Sequence, residues 1–294
     1  HRIESDNTGD QTERQAAMGL LSTFKPTANT SISPSIRADW NSSQIEIVPT
    51  GSLALLQLFN VSVLKSLRVN MGTSYRFPTI NELYWTDVWG MSIGNPDLLP
   101  EEGRSASAEL TLEPLSSILT TELRVYHFLT ENLIQWTADE NWVWSPQNIA
   151  RSESFGASLQ LNIQPEKLPI QASIRSEQNQ SRILSTGTDQ GKRLIYVPAV
   201  SHWLDLSCKT SRLAANLNYR FLGKRRYSYS STEELEAYKR WDASVSFILA
   251  EIGKVIPVLE LGARNLADKK DVQSVYGYTE PGRALFGQLT LKFR

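Results

Sequence analysis

The chain has 294 residues, with 30 Lys and Arg against 31 Asp and Glu, a formal net charge of −1. That balance offers no basic field for a nucleic-acid partner. One cysteine, Cys208, excludes an internal disulfide and a multi-cysteine metal site, and no run of 18 apolar residues provides a helical membrane span.

In chain order, two-residue periodicity is the dominant signal. Ile32, Pro34, Ile36, Ala38 and Trp40 alternate with Ser33, Ser35, Arg37 and Asp39. Ala106, Ala108, Leu110 and Leu112 alternate with Ser105, Ser107, Glu109, Thr111 and Glu113. Leu213, Ala215, Leu217, Tyr219 and Phe221 do the same against Arg212, Ala214, Asn216, Asn218 and Arg220, and the pattern returns in 242–249 and 288–293. Such segments are about the 9–11 residues that a tilted strand needs to cross a bilayer. Alternation keeps average hydropathy low, so the 21% charged content does not argue against a membrane barrel.

Alternation alone also fits a one-sided soluble sheet; the spacing of the breaks separates the two. Short breaks fall near Lys25–Thr30, Asn60–Leu64, Pro114–Ile118, Gln164–Leu168, Lys209–Ser211 and Glu251–Lys254. Long breaks fall near Asn41–Thr50, Phe77–Gly103, Leu133–Ser152, Asn179–Lys192, Gly223–Lys239 and Asn265–Gly282. Short and long take turns, as in an outer-membrane barrel with tight turns on one rim and long loops on the other. The expectation is one all-β domain over 1–294, an antiparallel up-and-down transmembrane β-barrel of about thirteen strands. Trp40, Tyr75, Trp136, Trp203, Tyr219, Phe221, Trp241 and Phe293 lie near strand ends, where barrels carry aromatic girdles.

Two stretches resemble the TonB-dependent outer-membrane receptors. The first is Gly72-Thr-Ser-Tyr-Arg-Phe-Pro-Thr-Ile-Asn-Glu-Leu-Tyr84, followed by Gly94-Asn-Pro-Asp-Leu-Leu-Pro-Glu101. The second is Asn265-Leu-Ala-Asp-Lys269, then Tyr276-Gly-Tyr-Thr-Glu-Pro-Gly-Arg283 and a closing strand to Phe293. The resemblance is nearest to vitamin B12 and ferric-siderophore receptors. It implies active uptake of a bulky metal chelate across the outer membrane of a Gram-negative bacterium. It also implies a barrel of about 22 strands with a plugged lumen. Neither the family's N-terminal plug nor its TonB box is found here. The resemblance therefore implies that the missing plug and first strands are partners of this chain, with the TonB complex acting through the plug. A passive porin-like barrel is the alternative.

Arg76, Pro78, Asn95, Pro96, Pro100, Glu101, Asn265, Pro281, Gly282 and Arg283 are expected to brace the outer loops. Prolines there fix φ without losing a ladder donor, and Arg76 or Arg283 could reach Glu82, Glu101 or Glu280. Candidate ligand contacts are the loop aromatics and arginines: Tyr84, Trp85, Trp89, Trp142, Trp144, Arg225, Arg226, Tyr227, Tyr229, Tyr276 and Tyr278. Aromatic faces and guanidinium donors suit a large flat chelate. The three histidines, His1, His127 and His202, lack metal spacing. His127 and Cys208 share parity with apolar neighbours, so neither a resident metal or cofactor nor a catalytic site is expected.

Overall fold

A computed structural model describes the chain except residues 1, 43–45, 150, 230, 272, 274–277 and 294. A small hairpin, β1 (Arg2–Ser5) with β2 (Gly9–Thr12), opens it. The wall starts with β3 (Gln15–Leu21) and β4 (Phe24–Thr27). Both pair with the same side of β5 (Thr30–Asn41), as two halves of one interrupted strand. It continues through β6 (Glu46–Leu58) and β7 (Leu64–Arg76), passes helix α1 (Ile80–Tyr84), and goes on with β8 (Glu101–Leu112) and β9 (Leu119–Glu131). A second hairpin, β10 (Ile134–Ala138) with β11 (Trp144–Asn148), leaves the wall. β12 (Arg151–Ile163), β13 (Ile170–Ile183), β14 (Val200–Lys209) and β15 (Leu213–Leu222) resume it. The two-residue strands β16 (Arg225–Arg226) and β17 (Glu234–Leu235) form a third excursion. β18 (Tyr238–Ile248), β19 (Val255–Arg264) and β20 (Ala284–Phe293) complete the wall.

Each wall strand pairs antiparallel with its neighbours in wall order, giving one 14-stranded up-and-down sheet, or thirteen rungs with β3 and β4 taken together. Among the described residues, β20 and β3 pair on one side only, so the sheet is a partial barrel with two open edges. Tight turns at 28–29, 59–63, 113–118, 164–169, 210–212 and 249–254 line one rim. Long loops at 77–100, 132–150, 184–199, 223–237 and 265–283 line the other.

One connection departs from expectation. The stretch Asn41–Thr50 reads as a long loop, but β5 and β6 stay paired up to Asn41–Glu46. Pro49 faces Ala38 and Gly51 faces Ile36 in unbroken register. Pairing along the flanking residues overrides a local turn signal.

Residues opposite each other on paired strands share a face, and the two faces differ sharply. On the outer face Leu123 lies between Leu110 and Leu159, and Val125 between Ala108 and Ala157. Leu123 is 42% exposed and Val125 47%. On the inner face Arg124 lies between Glu109 and Ser158. The buried hydrophobics are mostly loop and strand-top residues, including Ile80, Leu83, Leu98, Ile134, Tyr229 and Leu235. A wall with its apolar side chains turned outward, and its buried hydrophobics gathered mostly at the loops and strand tops, fits lipid rather than water as its outer solvent. No helix among the described residues is long and apolar enough to cross a membrane.

Parity corrects one girdle residue. Trp203 lies opposite Arg175 and Arg220 on the inner face, whereas its neighbours His202 and Leu204 point outward. Trp136 sits in the β10–β11 hairpin, away from the wall. Trp40, Tyr75, Tyr219, Phe221, Trp241 and Phe293 all carry the outer parity.

Candidate functional site: the outer-rim loops

The long loops are built from the strand ends upward, and the first knot forms where β7 stops. Thr79 caps α1: its hydroxyl accepts from the Glu82 N–H while the Glu82 carboxylate accepts from the Thr79 N–H. This reciprocal arrangement satisfies two orphan donors of a very short helix. Arg76 then donates to Glu82 at 2.8 and 3.1 Å and to Glu101 at 2.9 and 2.7 Å. One planar guanidinium thus ties the start of the 77–100 loop to its end. Burial alone would raise the Glu82 carboxyl; Arg76 and the Thr79 N–H outweigh it and hold the pKa below the usual carboxylate range. Glu101 also accepts from the Ile134 N–H at 2.8 Å, fixing the start of the β10–β11 hairpin.

Above the knot, Leu83, Leu98 and Ile134 form a small core against which Tyr84 packs. Gly94 passes so close that a Cβ would stand 2.7 Å from the backbone of Leu83, Tyr84 and Trp85. Asn95 donates to the Pro146 carbonyl at 3.1 Å and accepts from Asp97 N–H at 3.0 Å. Asn148 accepts from Leu99 N–H and donates back to the Leu99 and Asn132 carbonyls. Backbone bonds join Ile93 to Trp144 and Trp144 to Met91. The β1–β2 hairpin joins the same assembly through Asn7 and Thr86, which exchange two hydrogen bonds.

A second assembly joins the loops 184–199, 223–237 and 265–283. Tyr196 N–H donates to the Arg226 carbonyl, Lys192 Nζ to the Tyr229 carbonyl, and Arg225 to Gln273 Oε1 at 2.7 Å. Asn265, with φ 52° and only 3% exposed, clamps its own loop. Its amide donates to the Lys269 and Pro281 carbonyls and its carbonyl accepts from Lys269 N–H. Asp268 accepts from the Arg283 N–H at 2.7 Å, the main cause of its lowered pKa. Gly282 packs against Asp268 and Lys270, where an added Cβ would stand 2.9 Å from each side chain.

The sequence candidates therefore separate. Tyr84, Trp85, Trp89, Trp142 and Trp144 gather in the first assembly; Trp89 and Trp142 are 84% and 71% exposed, while Tyr84, Trp85 and Trp144 are half-buried. Arg225, Arg226, Tyr227 and Tyr278 fall in the second, and Tyr276 lies outside the described residues. Arg225 and Tyr229 are buried, not presented on the loop surface as their sequence context implied. Tyr227 donates to Glu233, and burial raises the Tyr229 phenol. Of the arginines expected to reach carboxylates, Arg76 does so twice, whereas Arg283 contributes its backbone and Glu280 instead lies 3.5 Å from Arg240.

Three features of the loops are absent from the sequence expectations. The Thr79-x-x-Glu82 box was visible as a motif. The β10–β11 hairpin and the Asn148 bridge were not, because they depend on contacts between loops. His127 lies 3.4 Å from Glu153 on the outer face, and His202 stacks on Phe221. No His, Cys, Asp and Glu cluster among the described residues could hold a metal ion.

Residues 3–266 match the family model described as TonB dependent receptor-like, beta-barrel. The vitamin B12 transporter BtuB of Photobacterium profundum is 28% identical over 166 residues, 54% of this chain and 26% of the relative. BtuB of Vibrio vulnificus is 26% identical over 230 residues, 76% of this chain and 34% of the relative. The chain thus spans a quarter to a third of the curated relatives it matches. The solved siderophore receptor PirA from Acinetobacter baumannii superposes with a TM-score of 0.71 at 16% identity, covering 97% of this chain and 46% of that one. At that identity the likeness concerns the fold.

Proposed function

Because the chain belongs to the TonB-dependent receptor-like β-barrel family, we propose that it forms the wall and outer loops of an outer-membrane receptor. That receptor takes up a bulky metal chelate, a ferric siderophore or a cobalamin, with energy delivered by the TonB complex. The observation that carries this reading is the pairing of an apolar outer face with tall, mutually bonded loops on one rim only. Lipid covers the first, and the second presents aromatic and cationic side chains to the outside.

In this reading the knot at Arg76 and the clamp at Asn265 are bracing, and the exposed Trp89 and Trp142 meet the ligand. Aromatic faces bind large flat ligands at small entropic cost, since a Trp side chain has few rotors. Chelate-dependent growth tests the proposal. Expression of the complete protein in a strain lacking its own receptors should restore growth on ferric siderophore or cobalamin. Restoration should vanish without a functional TonB. Growth that is equally good without TonB would reject active uptake.

A further inference from the structure

The outer face changes character partway up β13. Ile170, Ala172 and Ile174 carry the outer parity as apolar residues; Ser176, Gln178, Gln180 and Arg182 continue it toward the long loops as polar ones. On β12 the change comes where Phe155 gives way to Glu153. Side chains that meet lipid tails are apolar, so this boundary marks the level at which headgroups begin. The upper ends of β12 and β13 stand at that level.

A cavity of about 720 Å³ opens there, between His127, Glu153, Phe155, Gln180 and Arg182 of the outer face and Arg193 of the 184–199 loop. It exists because β14 begins at Val200, opposite Gln178, and leaves the top of β13 without a strand on that side. The loop takes the vacant place. Asn179 N–H donates to the Ala199 carbonyl, Ile183 N–H to the Lys192 carbonyl, and Gly191 N–H to the Ile183 carbonyl. Glu153 holds Arg182 in an ion pair and lies 3.4 Å from His127. Arg193 has no such acid. Its residue is half-buried, and among the described residues its side chain has no hydrogen-bond or ion-pair partner.

The lining thus holds two arginines against one carboxylate. One outer position below Glu153 lies Phe155, 52% exposed, and the column continues downward through Ala157 and Leu159. A surplus cation over an apolar column, on the face turned to lipid, complements an amphiphile with an anionic head.

We infer that this cavity seats the phosphate-bearing headgroup of a membrane lipid. Arg193 and Arg182 meet the phosphate, and Phe155, Ala157 and Leu159 lie along an acyl chain. A guanidinium fork matches phosphate oxygens. The inference rests on the membrane-barrel reading above and is independent of which chelate the receptor carries.

The test uses the complete protein in dodecyl maltoside micelles, titrated with dioleoyl phosphatidic acid or with dioleoylglycerol, which has the same chains and no phosphate. Bound lipid is counted by mass spectrometry of the intact complex, with inorganic phosphate added as competitor. Phosphatidic acid should bind about tenfold or more tighter than dioleoylglycerol, the scale of one charge-assisted hydrogen bond. Arg193→Gln should erase that difference, and Arg193→Lys, which keeps the charge and loses the fork, should reduce it. Phe155→Ser should weaken both lipids. Arg124→Gln, on the inner face, should change nothing. Equal binding of the two lipids, or unchanged affinity in Arg193→Gln, overturns the inference and leaves the membrane-barrel reading standing. Displacement of phosphatidic acid by an equal concentration of inorganic phosphate also overturns it, since the site would then take a free anion. Recovery of the protein from the aqueous fraction without detergent removes the membrane-barrel reading as well.

Discussion

The Tyr126 ring lies over Gly156, its direct cross-strand partner on the inner face. A Cβ on Gly156 would overlap that ring and stand 2.8 Å from the Gln178 carbonyl. The ring is held there because its hydroxyl donates to Glu177 at 2.6 Å and accepts from Asn179 at 2.9 Å. Gly156→Ala should therefore destabilise the wall by about 1–3 kcal/mol, the usual cost of overpacking. In a Tyr126→Ala background the same change should cost less, because the ring is gone. Unfolding by heat or urea in detergent measures both.

The Arg76–Glu82 pair makes the 77–100 loop acid-sensitive. Its folded pKa is lowered, so Glu82 contributes fully above the ordinary carboxylate pKa. That contribution is lost as pH falls through the depressed folded value. Amide protection in 79–84, taken relative to the intrinsic exchange rate at each pH, should fall on acidification. Glu82→Gln should lower that protection at neutral pH and flatten its pH dependence. A pH profile identical to wild type would disprove the role given to this carboxylate.

Asn265 combines a left-handed backbone with a three-bond clamp. Asn265→Gly relieves the backbone and loses the clamp; Asn265→Ala loses both advantages. Protease cleavage in 265–283 should rise in the order wild type, Gly, Ala. Each lost hydrogen bond is worth about 1 kcal/mol.

The two faces of the wall should differ in their tolerance of charge. Val125→Arg on the outer face should cost about 2–4 kcal/mol if it lies near the bilayer midplane. Thr111→Arg on the inner face sits opposite Glu122 and should cost little. The folded fraction in lipid vesicles reports the difference, and equal tolerance would place lipid on neither face.

Trp89→Ala and Trp142→Ala should lower chelate affinity severalfold, about 1 kcal/mol each, while leaving melting unchanged, because both side chains are largely exposed. Affinity equal to wild type in both variants would move ligand contact to the second loop assembly.

Much of the wall was legible because strand parity is strict: once Leu123 and Val125 are apolar, Arg124 and Tyr126 must face inward. The same count, carried through Leu204 and Leu206, would have placed Trp203 with Asp205 on the inner face. Aromatic identity near a strand end was a weaker guide than its parity. The stretch Asn41–Thr50 misled for the opposite reason, an expected loop overruled by long pairing. In the loops the Thr79–Glu82 box was readable, since its partners are three residues apart. The burial of Arg225 was not, because it needs loops more than forty positions apart to meet, as Arg225 and Gln273 do.

Loops 77–100 and 132–150 share backbone bonds at Trp144 and side-chain bonds through Asn95 and Asn148. Neither can change length without stranding donors in the other. An insertion or deletion in one of them therefore demands a matching change in the other. The loops at 184–199 and 223–237, tied by Tyr196 to Arg226 and by Lys192 to Tyr229, form a second pair under the same constraint.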